Sequence, residues 1–389
     1  MKVLLISDGD AKYGAANSLC QMVEQLLLKR DLDITVVLNH ESSLAVYLRK
    51  HGCKVIIVHY VLYYHAYPSN VWKLLIKKVL YGIKYRYSRF SAVRELKKQI
   101  NIEQIDLIHS NGTREDFGAL ISEKFHVPLI WHIREFGDRD YKCFSLRNDY
   151  ISLMNKTAKV FIAVSDAVKD HWIRKGLDKK KIVRIYNGVK IQDSPKNQDT
   201  PLNNKNEIKL VMTGSIQETK GQIQAINLMA LLKRENKRCS LDLIGEGGRQ
   251  YIKQLKDTIC ANGLDNSVRF LGYRNDVFDL LPNYDIGLIC SKDEGFGRVT
   301  AEYMMAGLPV LASNTGANGE LIREGIDGCL YSYGNVQDMK NKLSLIIEES
   351  LGGEKTFRYA LNNFSATVNA ENIYNLYKKV LGKPDSKIQ

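Results

Sequence analysis

Short apolar runs recur along the first half of the chain, and segments of helix length separate most of them. They predict buried strands over residues 2–7, 33–39, 54–60, 107–111, 128–134, 159–165 and 182–187. Strands that alternate with helices are typical of a parallel, doubly wound sheet. Residues 1–190 are therefore predicted to form one Rossmann-like α/β domain.

A second series of apolar runs follows a polar, proline-containing stretch. Residues 191–207 carry no hydrophobic periodicity and are predicted to be a linker. The later runs predict strands over residues 209–214, 240–245, 268–272, 285–290 and 309–313. With 389 residues and 44% hydrophobic content, the chain can bury two cores. Residues 208–368 are predicted to form a second Rossmann-like domain, so that the two domains face a cleft.

The cysteines and the lengths of the apolar runs bear on the cellular compartment. The seven cysteines are odd in number, scattered and without a Cys-x-x-Cys pair, which indicates neither a disulfide framework nor a zinc site. The first apolar stretch is too short for a signal-peptide core, and no later run approaches the ~20 residues that span a bilayer. We therefore expect a cytoplasmic protein.

The net charge of +13 predicts attraction to an anionic partner, and one segment concentrates that charge. Within residues 59–98 a single acid, Glu95, accompanies the bases Lys73, Lys77, Lys78, Lys84, Arg86, Arg89, Arg94, Lys97 and Lys98, which are interleaved with aromatic residues. This mixture is typical of a helix on an anionic lipid surface, and it predicts peripheral attachment to the inner face of the membrane. A solvated basic helix whose aromatics face the core stays an open alternative. Nucleic acid is disfavoured because the chain carries no nucleic-acid-binding module.

One stretch of the second half combines two carboxylates with a glycine-rich turn. Gly295, Phe296 and Gly297 lie between a predicted strand and the helix that follows it, where backbone amides attract phosphate. Glu294 lies in that loop and Glu302 on the helix. A carboxylate does not face a diphosphate usefully, but it accepts paired hydrogen bonds from vicinal hydroxyls. The pattern therefore predicts a nucleotide-sugar site, with a surface helix carrying two solvated acids as the alternative.

This stretch resembles the signature of the retaining family-4, or group 1, glycosyltransferases of the GT-B fold, and the resemblance covers nearly the whole chain. It implies that the first domain binds the acceptor and the second binds the nucleotide sugar. It also implies that a helix over residues 369–382 crosses back to the first domain. By position, Glu294 faces the transferred sugar and Glu302 holds the ribose.

The resemblance extends to the residues that neutralise the diphosphate. Lys220 matches the diphosphate-binding lysine of the family, whereas Ser215 stands where an arginine is common. Arg298, at the start of the motif helix, is predicted to compensate as a bidentate guanidinium. These cations and the helix amides would act without a metal, and no cofactor is expected.

Asp8-Gly9-Asp10 superficially resembles a metal-binding Asp-x-Asp motif. We reject a metal role because in GT-B proteins the loop after the first strand approaches the donor diphosphate through its backbone. Gly14 aligns with the first glycine of the Gly-Gly loop of the family, and Ala15 replaces the second. Gly14 is therefore predicted to contact the donor.

His132, at the carboxyl end of a predicted strand, resembles the cleft histidine that contacts the donor sugar. Alone, such a histidine is more often structural. Gly245 and Tyr273 fall where the family holds the nucleotide base. The acceptor-side candidates are Asn111, Arg134 and Glu135, whereas Asn187-Gly188 is interpreted as a turn and the loop 316–320 as lying near the sugar.

The sequence therefore predicts a retaining, metal-independent hexosyltransferase. The expected donor is a UDP-linked sugar and the expected acceptor a lipid-linked glycan, in surface polysaccharide or lipopolysaccharide biosynthesis. Two alternatives remain open. One is a nucleotide-sugar epimerase on the same scaffold, which the two-glutamate motif disfavours. The other is a non-catalytic GT-B partner subunit that binds glycosylated protein. The serine at position 215 keeps this second alternative open, and the presence of Glu294, Glu302, Lys220 and His132 argues against it.

Overall fold

The computed structural model describes residues 1–8, 14–68, 70–137, 143–192 and 201–383. The chain divides into two compact units, which we call the first unit and the second unit. The first unit consists of Met1–Gly188 with Ala366–Gln389, and the second consists of Val189–Ser365. The last helix of the chain therefore belongs to the same unit as the first strand.

Helices and strands alternate along most of the described residues. The strands are β1 (Lys2–Ser7), β2 (Asp33–Leu38), β3 (Lys54–Ile57), β4 (Tyr64–Ala66), β5 (Leu107–Asn111), β6 (Leu129–Ile133), β7 (Cys143–Ser145), β8 (Ala158–Ala163), β9 (Ile182–Arg184), β10 (Ile208–Thr213), β11 (Cys239–Ile244), β12 (Val268–Gly272), β13 (Ile286–Ile289), β14 (Val310–Ser313) and β15 (Gly328–Tyr331). The helices are α1 (Gly14–Leu27), α2 (Ser43–Lys50), α3 (Val71–Gln99), α4 (Phe117–Phe125), α5 (Tyr150–Thr157), α6 (Asp166–Arg174), α7 (Gln222–Arg234), α8 (Arg249–Ala261), α9 (Val277–Leu280), α10 (Arg298–Met305), α11 (Asn318–Leu321), α12 (Val336–Glu348), α13 (Glu354–Phe364) and α14 (Ala366–Val380).

The first unit is built on a parallel sheet with the strand order β3-β2-β1-β5-β6-β8-β9. The central strand β1 is a continuous apolar run, and Val3 to Ile6 are at most 1% exposed. Such a run is typical of a strand that is covered on both faces. Ile373 and Tyr377 of α14 pack in the same core cluster as Leu19 of α1, so the final helix helps to cover this sheet.

The second unit is built on a parallel sheet with the order β12-β11-β10-β13-β14-β15. Its central strands alternate inward residues such as Leu210, Met212 and Leu288, which share one core with helices α7, α8 and α12. The order reverses at β10, because β11 lies on one side of it and β13 on the other. In open parallel sheets, ligands bind beyond the carboxyl ends of the strands at such a reversal.

The strands predicted from the apolar runs are confirmed, with ends that differ by a few residues. Two features were not predicted. Strand β15 is a short run that begins with a glycine, and its pairing with β14 is what makes it a strand. The antiparallel pair of β4 and β7 joins two three-residue segments that are distant in sequence, and neither is long enough to show a period.

Candidate functional site

The loop after β10 carries the predicted phosphate-binding lysine. Lys220 ends a single turn of 3-10 helix, Glu218–Lys220, directly before α7. Gly221 follows with φ +73°, and a Cβ there would lie 2.1 Å from the carbonyl oxygen of Cys290. The amide of Lys292 also donates to the carbonyl of Thr219 at 2.9 Å. Only a glycine allows the β10 and β13 loops to approach this closely, and that approach brings Lys220 to the motif loop.

Glu294 lies in the β13 loop and forms an ion pair with Lys220, with 2.5 Å between Nζ and Oε1. Both side chains are partly shielded, at 30% exposure for Lys220 and 14% for Glu294. The backbone of Glu294 is fixed from the other side, since its carbonyl accepts the amide of Ala317 at 2.9 Å. A Cβ on Gly316 would lie 2.1 Å from the same carbonyl. The loop 316–320 therefore positions Glu294 through its backbone.

The second glutamate of the motif forms a second ion pair. Gly297 caps α10 with φ +82°, a conformation that favours glycine. One turn along the helix, Glu302 accepts from Nε of Arg298 at 2.8 Å, and both side chains are partly buried. Phe296 is buried and packs edge-on against Phe364 at 6.1 Å between ring centroids, which anchors the turn. Each glutamate of the motif is thus paired with one of the two cations that the sequence predicted for the diphosphate.

The two predicted base-side residues lie at the ends of neighbouring strands. Gly245 follows β11 with φ +151°, and a Cβ there would lie 1.8 Å from the carbonyl oxygen of Gly214. Tyr273 follows β12 and is 61% exposed. Gly245 therefore allows the loops after β10 and β11 to touch, whereas Tyr273 has an open face on which a planar base could stack. Their contact with a nucleotide stays a prediction.

In the first unit, His132 is fully buried near the carboxyl end of β6. Its Nδ1 lies 3.1 Å from Nε2 of His109 on the neighbouring strand β5, and Nδ1 of His109 lies 2.5 Å from the hydroxyl of Tyr377 on α14. Nε2 of His132 has no hydrogen-bond partner among the described residues. Burial, with Arg134 and His109 nearby, holds the pKa of His132 well below its ordinary value, so the ring is neutral. Contact of His132 with a sugar stays a prediction.

The acceptor-side candidates divide into two buried groups. Arg134 donates from Nε to Oδ1 of Asn111 and from a terminal nitrogen to Oδ1 of Asn187, both at 2.5 Å. Glu135 instead accepts from the backbone amide and the hydroxyl of Thr113, at 2.7 and 2.6 Å. Asn187, which the sequence suggested only as part of a turn, therefore belongs to the same polar network as Arg134.

Sequence reasoning missed His109 and Tyr377. The parallel register pairs Asn111 with His132, and His109 lies two residues before Asn111 on β5. The two-residue period of a strand therefore places His109 on the same face as Asn111, a signal that the sequence offered. Tyr377 offered no such signal, because its position beside His109 depends on where α14 packs.

The glycine-rich loop after β1 is only partly described. Gly14 is exposed as the first residue of α1, whereas Gly9, Asp10 and Tyr13 lie outside the described residues. Asp8 is partly buried, and desolvation raises the pKa of its carboxyl, opposed by Arg114 at 3.8 Å. The predicted contact of Gly14 with the donor stays a prediction. Within the part of the chain that the structure describes, no helix is both long and apolar enough to cross a bilayer.

Comparison with known proteins connects this arrangement to characterised families. The family model "Glycosyl transferases group 1" matches residues 193–363, and the model "Glycosyltransferase Family 4" matches residues 37–193. The capsular polysaccharide biosynthesis glycosyltransferase CapH of Staphylococcus aureus is 24% identical over 250 residues, which are 62% of this chain and 69% of CapH. The UDP-Gal:alpha-D-GlcNAc-diphosphoundecaprenol alpha-1,3-galactosyltransferase of Escherichia coli is 23% identical over 317 residues, which are 76% of this chain and 80% of that enzyme.

Among solved structures, HepE from Anabaena in complex with UDP is similar with a TM-score of 0.78 and 24% identity, covering 97% of this chain and 100% of HepE. A further structure of HepE, with UDP-glucose, has a TM-score of 0.75. The fold therefore extends over both units of this chain.

Proposed function

Because the chain belongs to the group 1 glycosyltransferases and has their GT-B fold, we propose that it transfers a hexose or hexose derivative from a UDP-linked sugar to a glycan acceptor. The anomeric configuration is retained, and the reaction does not need a metal ion. The observation that carries the proposal is the double ion pair, Lys220 with Glu294 and Arg298 with Glu302.

The double ion pair is suited to an exchange of partners when the donor binds. In the structure, each cation neutralises one carboxylate. A diphosphate competes for both cations, because charge-assisted hydrogen bonds to phosphate are strong and an arginine makes them in pairs. Glu294 and Glu302 then become available to accept hydrogen bonds from hydroxyl groups of the transferred sugar and of the ribose. Because both ion pairs are partly exposed, water screens their charges, and separating them costs little free energy.

The same cations support metal-independent departure of UDP. As the bond between the anomeric carbon and the phosphate oxygen breaks, negative charge grows on the β-phosphate. Lys220, Arg298 and the amino-terminal end of α10 supply positive charge there. The acceptor hydroxyl bonds to the anomeric carbon on the face that UDP leaves, and its proton passes to a β-phosphate oxygen of UDP. UDP is the leaving group in this proposal because HepE, whose fold this chain shares, is crystallised with UDP and with UDP-glucose.

We place the acceptor on a lipid at an anionic membrane surface, and α3 is the feature that supports this placement. Eight large apolar side chains of this helix are 53–77% exposed: Trp72, Leu75, Ile76, Val79, Leu80, Ile83, Tyr87 and Phe90. Exposed patches of this kind in soluble proteins mark interaction surfaces. Tyr85 instead packs in a buried cluster with Tyr63 and Tyr64. The aromatics therefore divide between the core and solvent, and the exposed ones support the proposed membrane surface.

Basic side chains accompany this apolar surface. Lys78, Arg86 and Lys124 line a groove of about 880 Å³ between α3, α4 and residues 145–149. A lipid phosphate and its acyl chains match a groove that is both basic and apolar. Each basic residue near an anionic surface adds about 1 kcal/mol to the free energy of membrane binding. The E. coli relative, whose name specifies a diphosphoundecaprenol acceptor, supports this placement.

The activity is tested with the purified chain and a panel of nucleotide sugars, by measuring nucleotide release with and without a lipid-linked glycan. We expect release from a UDP-sugar, and loss of that release in Glu294→Gln. Asp293→Asn is the matched control, because it changes the exposed neighbouring acid. Silence with every nucleotide sugar would favour the non-catalytic partner subunit, and conversion of the sugar without its release would favour the epimerase.

The membrane surface is tested by sedimentation with vesicles that contain or lack phosphatidylglycerol. We expect binding to the anionic vesicles that weakens with salt, and its loss in the triple variant Trp72→Ser, Ile76→Ser, Ile83→Ser. Leu345→Ser, an exposed leucine on α12, is the control. Equal binding of both variants would contradict the assignment of α3.

A further inference from the structure

Three buried side chains of the first unit form one hydrogen-bonded chain. The hydroxyl of Tyr377 lies 2.5 Å from Nδ1 of His109, and Nε2 of His109 lies 3.1 Å from Nδ1 of His132. All three side chains have no exposed surface. They come from α14, β5 and β6, so the chain of contacts joins the last helix to the centre of the sheet. We call these three residues the relay.

The direction of the protons in the relay follows from counting donors. Burial, with Arg134 nearby, lowers the pKa of His109 to about 3, so both rings are neutral and each carries one proton. Tyr377 has one proton, and His109 is the partner that the described residues offer it. If Tyr377 donates to Nδ1 of His109, then Nε2–H of His109 donates to Nδ1 of His132. The proton of His132 is then on Nε2.

The opposite direction is worse in this environment. If Nδ1–H of His109 donated to the tyrosine oxygen, the hydroxyl proton of Tyr377 would have no acceptor among the described residues. A buried donor without a partner costs free energy. The first arrangement uses every proton inside the relay and leaves one donor at its end, the Nε2–H of His132. That is the atom for which the described residues provide no partner.

We propose that Tyr377 and His109 are positioning residues that fix His132 as its Nε2–H tautomer, so that His132 donates a hydrogen bond to an oxygen of the bound sugar. His132 is then a hydrogen-bond donor and not a general base, because its only unbonded ring nitrogen already carries the proton. This inference rests on the proposed function, since it needs a sugar oxygen as the acceptor. A hydrogen bond from Nε2–H to that oxygen satisfies a buried donor that would otherwise be unpaired.

The tautomer is measured by NMR of ¹⁵N-histidine-labelled protein without any ligand, with the His132 signals assigned from His132→Gln. We expect the Nε2–H form for both His109 and His132. In Tyr377→Phe, His109 loses the donor to its Nδ1, and both rings become mixtures of tautomers. Tyr374→Phe is the control, because Tyr374 lies on the same helix and donates to Asp31 instead. A proton on Nδ1 of His132 in the unaltered protein overturns the proposal.

Kinetics of sugar transfer separate positioning from mere packing. In His109→Gln, a side-chain NH₂ takes the place of Nε2–H and can still donate to Nδ1 of His132, whereas His109→Leu fills similar space without a donor. We expect kcat to fall about tenfold in His109→Leu and to stay near the original in His109→Gln, with the KM for UDP-sugar little changed in both. Equal loss in both variants, at an unchanged melting temperature, overturns the role of the hydrogen bond.

The two measurements also keep this inference distinct from the proposed function. If the unaltered protein transfers no sugar but the NMR shows both Nε2–H tautomers, the assigned activity fails and the relay geometry stands. If transfer is normal and the tautomer of His132 is unaffected by Tyr377→Phe, the relay fails and the assigned activity stands.

Discussion

The two units both carry polar side chains near the carboxyl ends of their sheets, but these side chains differ in exposure and in the kind of partner they have. In the second unit, Lys220, Glu294, Arg298 and Glu302 form two ion pairs whose side chains are 14–30% exposed. In the first unit, the relay has no exposed surface, and Arg134 is only 7% exposed. The second unit holds charges that can change partners, whereas the first holds groups whose partners are set by the fold.

The energetic consequence follows from solvation. When a charged group near water exchanges one partner for another, its free energy changes little, because solvent screens the separated charges. A buried polar group that loses its partner keeps its desolvation cost and receives nothing in return. The second unit is therefore suited to capturing a charged ligand, whereas the polar groups of the first unit are held in hydrogen bonds that the fold sets.

The largest expected effect concerns the buried charges of the first unit. Asp116, 3% exposed, pairs with Arg89 at 2.6 Å and with Arg147 at 3.3 Å. Asp116→Ala leaves Arg89 without its carboxylate, whereas Arg147 keeps its pair with Asp149. The substitution should lower the free energy of unfolding by about 3 kcal/mol. Denaturant titration followed by tryptophan fluorescence measures this, because all three tryptophans, at positions 72, 131 and 172, lie in the first unit.

The control for Asp116 is Glu123→Ala on α4, which removes an exposed pair with Lys156. That change should cost at most about 1 kcal/mol. If the two substitutions lower the free energy of unfolding by the same amount, the buried charges of the first unit do not depend on their partners more than exposed charges do.

The next effect concerns the leaving group in the second unit. Lys220→Ala should lower kcat about 100-fold, close to 2.7 kcal/mol, because it removes one cation from the developing charge on UDP. Stability should change little, since the ion pair with Glu294 is partly exposed. Lys253→Ala, which breaks an exposed pair on α8, is the control, and steady-state kinetics at saturating donor is the measurement. An unaltered kcat in Lys220→Ala would mean that Lys220 does not stabilise the charge that develops on UDP.

A smaller effect depends on pH and belongs to the first unit. Burial, with Asp116 nearby, raises the pKa of Glu115 to about 8. Because the pKa of Glu115 is higher in the folded protein, the unfolded chain loses this proton at a lower pH, near ~4.5. The contribution of this group to stability is therefore complete below pH ~4.5 and is lost as the pH rises toward 8. The free energy of unfolding should fall by about 1.4 kcal/mol between pH 6 and pH 7 through this group alone. Glu115→Gln should remove that decrease, as read from tryptophan fluorescence.

Glu123→Gln, a half-exposed acid on α4, is the control for this pH dependence and should leave the decrease in place. If Glu115→Gln and the unaltered protein lose stability in parallel between pH 6 and pH 7, Glu115 is already ionised in the folded protein.

An effect of similar size concerns the guanidinium that pairs with Glu302. Arg298→Ala should raise the KM for the UDP-sugar about tenfold, or 1.4 kcal/mol, as the loss of one charge-assisted hydrogen bond to the diphosphate. Arg358→Ala, which breaks an exposed pair with Glu354 on α13, is the control. An unchanged KM in Arg298→Ala would mean that Arg298 does not compensate for the serine at position 215.

The sequence determined the parts of this protein that depend on local pattern. Apolar runs located the strands of both sheets, and the glycines around Glu294 located the turn that begins α10. These features follow from neighbouring residues, because a buried strand requires an apolar run and a positive φ favours a glycine at that position. Glu294 was found in the same way, whereas Lys220 and Arg298 were assigned through the resemblance to the glycosyltransferase family.

Only the tertiary structure decided which of these residues are partners. Lys220 meets Glu294 because the β10 and β13 loops touch, and Tyr377 meets His109 because α14 packs on the first sheet. Nothing within a few positions of Tyr377 marks this contact. Contacts between residues distant in sequence are set by strand order and by the packing of whole helices, which the chain fixes only when all its apolar surfaces are buried together.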